Sequence, residues 1–301
     1  MPFRTPLGIA AATAAVLLTM VTTTHTGSGE AQPCAPHRAG NTAITLQSGG
    51  LKRTALVHVP PAAARGNRPL PLVMAFHGAG WWGAWMEHYT GLSTVADRGN
   101  FFVVYPDAYG KPAVWNIAGR SGRRPDDVAF ARDLLGELEQ RLCVDEGRAF
   151  ATGVSNGGGM AARLGCELSD RLLAVAPVAG GYSSLPPCRP AQPTSVMEIH
   201  DTDDPIVPYR GRGPEGAGSV PRYVHEWVAR DGCPVRSGMS RPNRHVLRRY
   251  WAPCAKGVTV EQMVVLGGGH EWPGAVAGRR GRPPSISASG QVWRFFAAAH
   301  R

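Results

Sequence analysis

Lysine is nearly missing from this chain. Of its 32 lysines and arginines only Lys52, Lys111 and Lys256 are lysines, so the formal net charge of +10 rests on arginine. That bias follows from a G+C-rich coding sequence as readily as from function. It permits attraction to anionic polymers or surfaces and carries no information about fold. Motifs for nucleic-acid recognition are absent, which sets that partner aside despite the charge. After residue 31 no apolar run is long enough to cross a bilayer, so no integral span is expected. The cysteines form no C-x-x-C pair, which removes the common zinc sites. Neither an internal repeat nor a low-complexity block divides the chain.

What is present begins with an export signature. Arg4, the apolar stretch Leu7 to Val21 and then Gly29-Glu30-Ala31 have the layout of a signal peptide with a small-x-Ala cleavage site. Residues 1–31 are expected to be removed and 32–301 to form one secreted domain; an uncleaved membrane anchor is the alternative. Cys34, Cys143, Cys166, Cys188, Cys233 and Cys254 all lie beyond that site, an even number suited to disulfides in an oxidising compartment. Cys233 and Cys254 flank one polar, arginine-rich excursion and are the first pair expected. Sequence does not choose among pairings of the other four.

Apolar periodicity sets the fold class. Residues 43–60 alternate and read as antiparallel strands, whereas Leu72–Phe76, Phe101–Tyr105 and Leu172–Ala176 are continuous apolar runs, as in strands buried on both faces, and Ser195–His200 reads as another buried strand. Helical spacing runs through Val128, Phe130, Ala131, Leu134, Leu135 and Leu138, with Asp126 and Asp127 read as first-turn acids. A helix over 220–231, a strand from Val258 to Leu266 and a helix from Ser289 to Ala299 complete the chain. Strands alternating with helices predict one α/β domain, a mostly parallel sheet covered on both faces, and 301 residues suffice for its core.

The chemistry gathers around Gly153-Val154-Ser155-Asn156-Gly157, which joins a predicted strand to a predicted helix. This is the layout of a nucleophile elbow, where glycines leave room for a tight turn and the helix N-terminus presents free N–H groups. In open α/β sheets chemistry collects at the carboxyl ends of strands. The residues there are His77-Gly78-Ala79-Gly80, Ser155, the acids Asp201, Asp203 and Asp204, and His270 behind three glycines. They supply a nucleophile, an acid and a base in the order Ser…Asp…His. Ser155 needs a base to take its proton, and His270 is placed for it. The oxyanion donors are the backbone N–H of Asn156 and one from Ala79 or Gly80. His77 reads as a structural hydrogen-bonder of that loop and His200 as a satisfied, partly buried imidazole. The acids lack the spaced pattern of a calcium loop, so no metal is expected.

Several blocks in order carry a family resemblance. They are Leu72–Gly78, Tyr105-Pro106-Asp107, Trp115-Asn116, Asp126–Phe130, Cys143-Val144-Asp145, Ala151–Gly158, Ala176–Gly180, Asp204–Tyr209 and Gly267–Gly274. Together they make the chain, from about residue 40 onward, resemble the secreted polyhydroxybutyrate depolymerase family. Its near relatives are the feruloyl and acetylxylan esterases of carbohydrate esterase family 1. The resemblance implies an α/β-hydrolase fold and cofactor-free serine esterase chemistry through Ser155, Asp204 and His270. The expected substrates are hydroxyalkanoate esters or feruloyl and acetyl esters of polysaccharides. It also favours a Cys233–Cys254 disulfide. One departure stands out: the family has His-Gly before its acid, and here His200 is followed by Asp201, a second carboxyl beside the triad acid.

Around the elbow, Trp81, Trp82, Trp115 and Trp272 are candidates for the walls of a substrate pocket. Two other functional classes fit the same residues. One is a serine peptidase of the same fold. The other is a non-catalytic exported binding protein, supported by the arginines between Arg236 and Arg249 and by Arg279, Arg280 and Arg282, which would suit an anionic polysaccharide or cell-wall surface.

Overall fold

Continuous apolar runs become the middle of the sheet, and alternating or arginine-rich ones become its edges. The computed structural model describes residues 1–2, 34–66, 68–119, 124–212, 218–276 and 286–300. The expected signal segment, apart from its first two residues, and Arg279, Arg280 and Arg282 lie outside the described residues. Among the latter the strands are β1 (Gly40–Ser48), β2 (Leu51–Val59), β3 (Leu70–Phe76), β4 (Phe102–Pro106), β5 (Val144–Val154), β6 (Ala174–Val178), β7 (Ser195–Asp201), β8 (Gly238–Asn243), β9 (Val246–Trp251) and β10 (Val260–Val265). They form one sheet in the order β1-β2-β4-β3-β5-β6-β7-β10-β9-β8. From β4 to β10 every pairing is parallel, and antiparallel pairs extend both edges.

The helices are α1 (Gly83–Thr90), α2 (Leu92–Gly99), α3 (Asp127–Arg141), α4 (Asn156–Glu167), α5 (Val220–Arg230) and α6 (Ala288–Ala298). Alternation along β3 assigns its two faces. Leu70, Leu72, Met74 and Phe76 enter a core shared with α3, α4 and α5, while Val73 and Ala75 enter one shared with α1, α2 and α6. Each fully buried large side chain contributes about 1.5–3 kcal/mol, so these two cores outweigh any single polar contact. Three disulfides, Cys34–Cys143, Cys166–Cys188 and Cys233–Cys254, add loop constraints.

Two expectations change here. The excursion between Cys233 and Cys254 is a β8–β9 hairpin that prolongs the sheet; its apolar signal is hidden because arginines occupy strand positions. Of the two first-turn acids, Asp126 caps α3, accepting from the N–H groups of Val128 and Ala129. Asp127 is instead fully buried, paired with Arg53 at 2.8 Å and accepting from Asn116 N–H.

The elbow depends on close backbone approach. Ser155 has φ 58° and ψ −119°, a left-handed conformation rare for a residue with a side chain. A Cβ on Gly157 would stand 2.1 Å from Phe76 O, and one on Gly153 would stand 2.4 Å from Gly157 O. Both contacts are with backbone, which has no room to yield. Gly157→Ala is therefore expected to destabilise the fold by about 1–3 kcal/mol or more through overpacking. Chemical denaturation checks this, and an unchanged midpoint would refute the contact.

Candidate active site

Ser155 stands between β5 and α4, half-buried, its N–H donating to Val178 O at 3.0 Å. The first N–H groups of α4, Asn156 among them, have no intrahelical acceptor. Gly78 lies against it, since a Cβ there would be 3.7 Å from Ser155 Cβ and 3.5 Å from the Trp81 ring. The loop after β3 thus borders the serine. Its backbone amides are not equivalent. Gly80 N–H donates to Ala113 O at 2.7 Å, which removes it as a free donor and leaves Ala79 of the two candidates.

That loop is held by a neutral histidine. Carbonyl oxygens only accept, so the 2.7 Å contact between His77 Nδ1 and Gly78 O places the proton on Nδ1. His77 Nε2 then accepts from Ala108 N–H at 3.0 Å. Burial, the largest influence, lowers the His77 pKa and agrees with that tautomer. Trp115 closes the arrangement. Its indole N–H donates to His77 O, and its backbone N–H and C=O are bonded by the Asn156 side-chain amide. Asn156 thus ties the 107–119 loop to the start of α4, a role the motif alone did not reveal.

The four candidate pocket tryptophans separate. Trp81 is half-buried beside Gly78 and Trp82 is exposed, so both remain at the surface of this region. Trp115 and Trp272 are each 1% exposed and belong to the cores; Trp272 Nε1 donates to Ser289 Oγ at 3.0 Å. Neither walls an open pocket. Their indole N–H groups found internal acceptors, so the rings bury without penalty. A cavity of about 480 Å³ lies between α4, α5 and the 182–188 segment, lined by none of Ser155, Asp204 and His270.

The acid and the base meet at the carboxyl ends of β7 and β10. His270 Nδ1 donates to Asp204 Oδ2 at 2.7 Å. Of the three neighbouring acids, Asp203 is exposed and accepts from the Thr202 hydroxyl, and Asp201 is buried with no partner for either oxygen. Asp204 Oδ1 accepts from the N–H groups of Ile206 and Val207, both at 2.8 Å. Its Oδ2 also faces His200 Nε2 at 3.3 Å. Burial works against the Asp204 charge, but the hydrogen bonds from His200, His270 and Val207 outweigh it and hold the carboxyl well below the usual carboxylate range.

His200 is more than a satisfied core imidazole. It is fully buried, with Nδ1 on Glu198 Oε1 at 2.9 Å and Nε2 on Val207 O at 2.9 Å. Val207 O can only accept, so Nε2 donates; with Glu198 ionised, Nδ1 donates as well and the ring is an imidazolium. Burial opposes that charge, yet Glu198 and Asp204 overcome it and raise the pKa to about 10. Among the described residues no three His, Cys, Asp or Glu side chains converge as a metal site.

Asp201 is the unexpected member. Burial first, and then the charge of Glu271, push its carboxyl up to about 8. Its Oδ1 occupies the space a Cβ on Gly268 would need, 1.6 Å away, so it packs directly under the glycine loop that carries His270. Between about pH 4 and 8 the unfolded chain has lost this proton and the folded chain keeps it. Stability on this account falls as pH rises through that window. Asp201→Asn removes the titration, so its melting temperature relative to wild type is expected to climb from pH 5 to pH 8. A difference constant with pH would overturn the assignment.

No protein-family model matches the chain. A protein of Nocardia uniformis subsp. tsuyamanensis named "Putative esterase NocK" is 31% identical over 260 residues, covering 78% of this chain and 75% of that protein. "Probable feruloyl esterase C" of Aspergillus clavatus is 30% identical over 217 residues, covering 71% and 70% respectively. Among solved structures, the acetyl xylan esterase from Aspergillus awamori superposes with a TM-score of 0.61 at 12% identity, over 85% of this chain and 99% of that one. At that identity the likeness speaks for the fold, the α/β-hydrolase fold.

Proposed function

Because the chain belongs to the feruloyl esterase family and is a carboxylic-ester hydrolase, we propose that Ser155, His270 and Asp204 form its catalytic triad. The observation that carries this is the 2.7 Å hydrogen bond from His270 Nδ1 to Asp204 Oδ2, made at the same sheet edge as the left-handed Ser155. With Nδ1–H engaged, Nε2 is the basic nitrogen. It takes the Ser155 proton as Oγ attacks the ester carbonyl, and Asp204 stabilises the imidazolium that results. The N–H groups of Asn156 and Ala79 receive the oxyanion. The alcohol leaves with the proton from His270, and water repeats the cycle on the acyl-enzyme.

The substrates in this reading are hydroxyalkanoate esters or feruloyl and acetyl esters on polysaccharides. Residues 1–31 act as a signal peptide and 32–301 as a single secreted catalytic domain. Three disulfides support an oxidising compartment. Among the described residues no helix is long and apolar enough to cross a membrane. The arginine surplus supports docking on an anionic polysaccharide or cell-wall surface.

Ser155→Ala is expected to lower ester turnover by at least about 10³-fold while leaving thermal unfolding unchanged. A fluorophosphonate probe should label the wild type at Ser155 and spare the variant. Rates on nitrophenyl esters, hydroxybutyrate oligomers, feruloyl esters and acetylated xylan rank the acyl groups. Unchanged hydrolysis by the variant would remove Ser155 from the mechanism, and cleavage of peptides in preference to esters would replace the substrate class.

A further inference from the structure

The segment from Cys233 to Cys254 contains five arginines and no Asp or Glu. One of them, Arg248, is paired with Glu261 at 2.7 Å, a carboxylate it shares with Arg294. Arg236, Arg241 and Arg244 are exposed and Arg249 is half-buried. Among the described ion pairs none involves these four. Burial of the fold does not need them, and their charge is unspent.

Topology decides where that charge stands. Strand β9 runs antiparallel to β10, with Val246 opposite Val265, so the β8–β9 turn lies at the carboxyl edge of the parallel strands. Leu266 N–H donates to His245 O at 2.8 Å, tying the turn that holds Arg244 to the chain entering the His270 loop. Leu266 and His270 are four residues apart, at most about 14 Å even if fully extended. The loop after Asp204 brings more positive charge to the same edge. Arg210 and Arg212 are exposed there, and Arg212 is held to Pro205 O at 2.8 Å. Arg249 on β9 and Arg210, next to Tyr209 in sequence, both lie near enough to act on its phenol. The Tyr209 hydroxyl accepts from Gln262 Nε2 on β10. A basic strip thus runs from the acid loop across Tyr209 to the hairpin. Asp203 and Glu271 are the acids on the neighbouring loops.

We propose that this strip, Arg210, Arg212, Arg249, Arg241 and Arg244, is a docking site for a carboxylate-bearing polysaccharide whose ester groups enter at Ser155. The inference rests on the esterase reading above and adds the acidic character of the substrate chain. Arginine and Pro242 also blunt the exposed edge of β8 against pairing with another chain. Blunting an edge does not call for a basic turn or for arginines on the Asp204 loop. A strand of uronic-acid residues laid along the edge would meet both sets.

The test compares initial rates on uronic-acid-bearing acetylated glucuronoxylan and on a neutral nitrophenyl ester, in low and in physiological salt. Arg244→Gln and Arg210→Gln are each expected to lower the ratio of kcat/KM on the acidic polymer to that on the neutral ester by about three-fold, the scale of one exposed charge pair. The wild-type ratio should fall with salt as the charges are screened. Arg236→Gln removes the same unit of charge at the far end of the hairpin and should leave the ratio unchanged. Soluble polygalacturonate should compete for the polymer and not for the nitrophenyl ester. Equal losses in all three variants would reduce the effect to net charge and overturn the site. So would a salt-insensitive ratio, or binding to phosphatidylserine vesicles without competition by polygalacturonate. If wild type hydrolyses neither substrate, the esterase reading fails first and separately.

Discussion

The contact between the end of β3 and the first turn of α4 governs the geometry of everything above it. Phe76 O and Gly157 approach so closely that no side chain fits between them, and this draws the N-terminus of α4 down onto the sheet. The chain must then reverse sharply after β5, which throws Ser155 into a left-handed conformation and lifts its hydroxyl out of the sheet. The strain is sustained because both neighbours are over-determined. On one side β5 is paired with β3 and β6, and on the other α4 is buried along its length. The same approach brings the His77–Gly80 loop beside the serine. A neutral His77, Trp115 and the Asn156 amide then lock loop, elbow and the 107–119 segment into one hydrogen-bonded unit. Preorganised donors at a reacting carbonyl are worth most when they do not have to reorganise.

Much of this was readable before any coordinates. Continuous apolar runs mark β3, β4 and β6 as strands buried on both faces, whereas β7 and β10 carry polar residues among the apolar ones and the order of strands across the sheet depends on pairings remote in sequence. Gly153 and Gly157 announced the elbow because only glycine tolerates the contacts there. The strand-end rule put Ser155, the Asp201–Asp204 cluster and His270 on a short list without distances. What stayed hidden shares one physical feature: its partner is remote in sequence. Nothing local tells whether Trp115 and Trp272 face solvent or core, since that depends on His77 O and Ser289 Oγ accepting their indole protons. The engagement of Gly80 N–H by Ala113 O is equally nonlocal. So is the Arg53–Asp127 pair, which turns an apparent helix-capping acid into a buried anchor. The β8–β9 hairpin escaped because edge strands need no apolar alternation when arginine covers them.

The end of β7 carries the subtlest consequence of the sequence. Glu198, Asp201 and Asp204 crowd around His200, and carboxylates this close in a dry environment do not all ionise. Protons therefore settle by how many donors each acid can collect. Asp204 receives four, from His200, His270, Ile206 N–H and Val207 N–H, and keeps its charge. Asp201 receives none and holds its proton. Glu198 is also pushed up, burial being its largest influence, with His200 pulling the other way. The imidazolium of His200 lies between Glu198 and Asp204, within 2.9 Å of one and 3.3 Å of the other. The cluster sorts its negative charge onto the carboxylate that touches His270, where an imidazolium formed during acyl transfer would need it. Asp201 does not dilute that charge, because a neutral acid adds volume under Gly268 without adding a competing anion.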